Sequence, residues 1–120
     1  MIIVNLTPHA VTVLPQAGGA VTFQSNGTVA RIREITGPET WLATDAGRVP
    51  IQQVTYADHV DGLPDPSPGV LYLVSRVTAA AVRRADLVFP QGEIRDDDGQ
   101  IVGCRALGTF ADPALMAGDD

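Results

Sequence analysis

The sequence predicts an α+β fold, mostly antiparallel β-sheet or a partly open barrel, with one short helix following a central strand. Three observations carry this. Short alternating runs rich in β-branched residues recur between turn signals, as in Val11-Thr12-Val13 and Val21-Thr22-Phe23. A single long apolar run, Val70 to Val74, has the composition of a strand covered on both faces. One Ala-rich segment follows it at once and is the only stretch with the composition of a helix.

Taken in order, Ile2 to Leu6 reads as a strand that Thr7-Pro8 interrupts, because proline lacks a donor and holds its predecessor extended. Val11 to Val13 and Val21 to Phe23 flank the turn signal Gln16 to Gly19 and form a hairpin. Asn26-Gly27 is a further turn, since both residues tolerate positive φ. A strand is expected over Val29 to Ile35, ended by Gly37-Pro38, with another beginning near Trp41 to Ala43. Asp45-Ala46-Gly47 is a turn before a strand over Val49 to Tyr56. Proline and glycine crowd Asp61 to Gly69, which reads as an exposed loop. The helix is expected over Ser75 to Asp86, with Arg83 and Arg84 near its C-terminal end. Glu93 to Arg95 and Gln100 to Val102 flank Asp96-Asp97-Asp98-Gly99 as a last hairpin.

A chain of 120 residues suits one core. The expected domain is 1–112, followed by a flexible tail over 113–120. The formal net charge of -6 and the lack of any Lys argue against binding duplex nucleic acid by phosphate neutralisation. The lone Cys104 excludes an intramolecular disulfide, and the N-terminal apolar run lacks the basic flank of a signal peptide. These features lead to a cytoplasmic expectation without a membrane segment.

Metal and catalytic motifs are weak. Asp96 to Gly99 lacks the alternating acidic spacing of a calcium loop, and His9, His59 and Cys104 lack zinc-ligand spacing. Cys104 or Ser75 paired with a histidine would be the only nucleophilic arrangement, and no nucleophile elbow accompanies either. Asp58 and Asp61 read as solvated loop carboxylates. No cofactor is expected. The cations are all Arg, whose planar fork suits phosphate and carboxylate. Arg31 and Arg33 on one strand, with Arg95 and Arg105 on the last hairpin, would either line a cleft for a phosphate-bearing ligand or decorate two solvated faces.

Asn5-Leu6-Thr7-Pro8-His9, Val29-Ala30-Arg31-Ile32, Gly62-Leu63-Pro64 before Leu71 to Ser75, and Arg84-Ala85-Asp86 leading to Pro90 resemble a family of small uncharacterised phage, prophage and actinobacterial proteins. The resemblance implies a homo-oligomeric, non-enzymatic binding protein, by analogy with phage sponges that sequester nucleotide immune signals. It would make Asn5, Thr7 and His9 one wall of a pocket, with Ser75, Arg84 and Arg95 as anion contacts. Alternatively, Asn5 to His9 form a strand terminus whose polar groups bond nearby backbone. The competing functions are a structural or protein-interaction module, such as a virion accessory protein, and a small hydrolase using His9.

Overall fold

A computed structural model describes residues 1–117 of the chain. The fold is α+β and mostly β. Eight strands and two short helices follow one another as β1 (Ile2–Asn5), β2 (Val11–Val13), β3 (Val21–Phe23), β4 (Arg31–Thr44), β5 (Gly47–Asp61), β6 (Val70–Leu73), α1 (Arg76–Val82), β7 (Leu87–Arg95), β8 (Ile101–Gly108) and α2 (Pro113–Ala117). Six strands form one sheet in the order β1-β6-β7-β8-β2-β3, and among the described residues β4 pairs only with β5.

The six-stranded sheet curls toward closure. Its two edges meet where Asn5, at the end of β1, bridges Ser25 just past β3. Asn26 N–H donates to the Asn5 carbonyl at 2.8 Å to complete that seam. β6 lies between parallel neighbours β1 and β7, as its unbroken apolar run requires. Tyr72 and Leu73 are adjacent, hence on opposite faces, and both are buried. The remaining long pairing, β7 with β8, is antiparallel.

The core gathers Leu6, Tyr72, Val74, Leu87 and Phe89 beneath Ala79 of α1. α1 is shorter than expected. Ser75 caps its start, accepting from Thr78 N–H, and Arg83 ends it in the left-handed region at φ 56°, sending its N–H to the Ala79 carbonyl. The chain therefore turns before Arg84 and enters β7 at Leu87 instead of continuing as helix to Asp86.

The largest departure from expectation lies between residues 31 and 61. Gly37-Pro38 does not end a strand: β4 runs through it, and the register against β5 shifts between Thr36 and Glu39. A bulge accommodates Pro38 because a residue outside the ladder needs no N–H donor. Asp58 and Asp61 consequently lie on β5 and not in a loop, both exposed. β4 and β5 make one long antiparallel ribbon from Arg31 opposite Asp61 to Thr44 opposite Gly47. The turn Asp45-Ala46 closes it, where Thr44 Oγ1 accepts from Ala46 and Gly47 N–H. At its root, Gly62 adopts φ +82° and passes so close to Val29 that a Cβ would stand 2.6 Å from the Val29 carbonyl oxygen. Pro113–Ala117, within the segment expected as a flexible tail, forms α2, and residues 118–120 of that tail lie outside the described residues.

Candidate functional site: the arm and the depression at its root

Strand alternation and register assign the ribbon's side chains to two faces. Trp41 and Arg48 share one, and the Arg48 guanidinium sits 5.8 Å from the indole centroid. Gly37 and Gln53 share the other, the Gln53 Cβ lying 3.4 Å from where a Gly37 Cβ would be. The first face carries Trp41, Val54 and Tyr56, and the second Ile35, Leu42, Val49 and Ile51. All seven are between 40% and 56% exposed. Neither face is covered, and among the described residues neither strand has a second partner. An isolated two-stranded ribbon is marginally stable in water, and its open edges invite pairing. The ribbon is thus an arm whose apolar side chains are exposed on both faces.

At the arm's root lies a depression of about 240 Å³, lined by Leu6, Thr7, Arg31, Ile32, Ser75 and Thr78 among others. Three residues singled out in the sequence, Thr7, Arg31 and Ser75, meet here. Thr7 and Ser75 also line an adjoining open depression of about 500 Å³ with His9, Arg76 and Glu93. Arg31 forms no ion pair among the described residues.

Asn5, Arg84 and Arg95, also expected as ligand residues, bond instead within the protein itself. Asn5 is buried at 2% exposure. Its amide donates to the carbonyls of His9 and Phe23, each at 2.9 Å, and its Oδ1 accepts from Thr7 N–H at 2.9 Å and Thr7 Oγ1 at 2.6 Å. Asn5 is therefore the clamp that shapes the Thr7-to-His9 loop and joins β1 to β3. Arg84 forms a two-pronged bond to Asp86, at 2.9 and 2.6 Å, and donates to the Pro64 carbonyl at 2.9 Å. The Asp86 hydrogen bond raises the Arg84 pKa above its ordinary value, partly opposed by burial. Arg95 bonds Glu93 and the Gly99 carbonyl at the last hairpin, and Arg105 donates to the Leu14 carbonyl. Neither Arg95 nor Arg105 lines either depression at the arm's root. Arg33, exposed, lies 3.5 Å from Asp61.

Cys104 and His9 line different depressions, and the buried Cys104 thiol is directed at the Thr12 carbonyl at 3.6 Å. The Ser75 hydroxyl donates to Thr78 Oγ1 at 2.9 Å. Neither pair forms a nucleophile–base contact among the described residues. No group of three His, Cys, Asp or Glu side chains arranged to hold a metal occurs among the described residues. No helix there is long and apolar enough to cross a membrane.

Comparisons with models of protein families, with curated protein sequences and with solved structures return no match to this chain. The residues that the sequence reading did not single out are the arm's apolar ones. Their signal was present in Trp41-Leu42, two large apolar residues in succession on a strand, which place one on each face.

Proposed function

We propose that the chain is a non-catalytic interaction module that acts through its β4–β5 arm. The observation that carries this reading is the arm itself: two strands with apolar side chains uncovered on both faces. A contiguous exposed apolar surface of this kind marks a contact with another macromolecule. The size of the molecule supports the same reading. Its accessible surface is 8107 Å², against about 6,200 Å² for a compact monomer of this mass. The surplus of roughly 1,900 Å² exceeds the ~800 Å² that each partner contributes to a standard protein–protein interface.

Photo-reactive side chains in place of Ile51 and Val54, one per face, test it in cells that express the full chain. Adducts formed from the arm, and not from a control at exposed Gln16, are the expected result. No adduct from either arm position removes the proposal.

A second reading has one observation in its favour. Arg31, without an acidic partner among the described residues, lines the root depression, and its planar fork suits a phosphate-bearing small molecule such as a nucleotide. On that reading a nucleotide panel raises the thermal midpoint of the wild-type chain, and Arg31→Ala abolishes the rise. A flat wild-type response to the whole panel eliminates it.

A further inference from the structure

The arm's two faces differ in charge, and the difference selects its occupant. Glu34, Glu39 and Arg48 lie on the face of Trp41. Above the root, where Arg33 lies 3.5 Å from Asp61, the opposite face carries no charged residue from Ile35 and Thr55 to Leu42 and Val49 near the tip, only aliphatic side chains with Thr, Gln and Gly between them. We propose that this uncharged face packs against the same face of a second copy of the chain, the two arms stacking antiparallel about a twofold axis. The inference rests on the reading of the arm as an interaction element.

Charge supplies the first argument. The chain carries a net charge of -6, so two copies repel each other at most surfaces. A twofold contact sets a patch against itself, and any charge on it meets its own kind or must find an opposite one in register. The uncharged face meets its copy with nothing to desolvate but Thr and Gln side chains, which bond water at the rim or one another. Glu39 lies halfway along the other face, where a twofold axis at mid-arm would set it against its own copy.

Shape supplies the second. With the axis level with Gly37, Gln53, Thr40 and Ile51, the Leu42 and Val49 pair of one arm covers Ile35 of the other. Gly37 of one arm then lies opposite Thr40 of the other, and Ile51 opposite Gln53. Two β layers stacked in this way enclose an apolar sheet-on-sheet core of the kind found in sandwiches. Area supplies the third. The face presents Ile35, Leu42, Val49 and Ile51, each between 40% and 50% exposed, as apolar area for a partner to cover.

Light scattering coupled to size exclusion reads the result directly. The full chain is expected at twice its 12.6 kDa mass. Leu42→Asp combined with Ile51→Asp is expected at the single-chain mass with the far-ultraviolet spectrum of a folded body, whereas Trp41→Asp on the other face remains double. A wild-type chain that stays at single mass up to about 100 μM, or a dimer that survives the double substitution, overturns the inference. Should the double variant fail to fold, single cysteines decide. Under oxidation, Ile51→Cys links two copies and Val54→Cys does not, with Cys104 silent because it is buried. Equal linking at both positions, or none at Ile51→Cys, overturns the inference. The mass of the photo-adduct at Ile51 separates the two readings. Twice the chain mass supports the second copy, a foreign protein overturns it while leaving the arm an interaction element, and no adduct from either arm position overturns both.

Discussion

Asn5 spends every polar atom of its side chain on the seam between β1 and β3. Removing it takes the side-chain donor from the Phe23 carbonyl and the acceptor from the Thr7 N–H, while the His9 carbonyl keeps the Thr7 hydroxyl at 3.0 Å. Asn5→Ala is therefore expected to destabilise the chain by about 2–4 kcal/mol, read as a lower urea midpoint with an unchanged slope. Asn5→Asp fares no better, because it still accepts from Thr7 but faces two carbonyls without a donor. A loss below about 0.5 kcal/mol in both variants would show that water replaces the clamp. The motif was legible in the sequence as two alternatives, a ligand wall or a strand terminus, and the bonds to His9 and Phe23 make Asn5 a strand terminus. Arg84 was legible as a cation near the helix end, but its turn toward Asp86 depends on Arg83 leaving the helix. Because its pKa is raised, the stabilisation that comes from the Arg84 charge is lost only as the pH rises into strong alkali.

At the scale of elements, most strands, their turns and the presence of a helix were readable because each rests on local chemistry: alternation, a glycine at positive φ, an Ala-rich run. What was not readable is which strands pair with which. β4 and β5 have the same alternating composition as the barrel strands, and nothing in either marks them as leaving the barrel together. Gly37-Pro38 was misleading for a physical reason: proline ends a strand inside a ladder but is tolerated at a bulge, and only the partner strand decides which case applies. The meeting of Thr7, Arg31 and Ser75 is likewise a product of topology. The β1–β6 pairing brings the Thr7 loop beside the Ser75 cap, and the arm's first residue supplies Arg31. Arg95 had the same local credentials and falls at another end of the sheet, bonded within its own hairpin.

For the whole molecule, the radius of gyration is 17.7 Å, with extents of 56 × 39 × 27 Å, against about 13.6 Å for a compact chain of this length. An extended arm with apolar faces is costly for a lone chain, and on the proposed stacking its stability is coupled to the second copy that covers it. Association that requires the folded arm stabilises the folded chain by mass action, and the thermal midpoint then depends on protein concentration. Raising the concentration 100-fold above the dissociation constant contributes ~2.7 kcal/mol per dimer, half of that per chain. At roughly 3–6 °C per kcal/mol for a domain of this size, the wild-type midpoint should rise by about 4–8 °C. The Leu42→Asp, Ile51→Asp variant should melt at one temperature throughout the same range, since its arm no longer meets a partner. Calorimetry of both proteins over that series makes the comparison. A wild-type midpoint that holds constant would mean that the arm contributes nothing to stability through a second copy, and that the folded body carries it unaided.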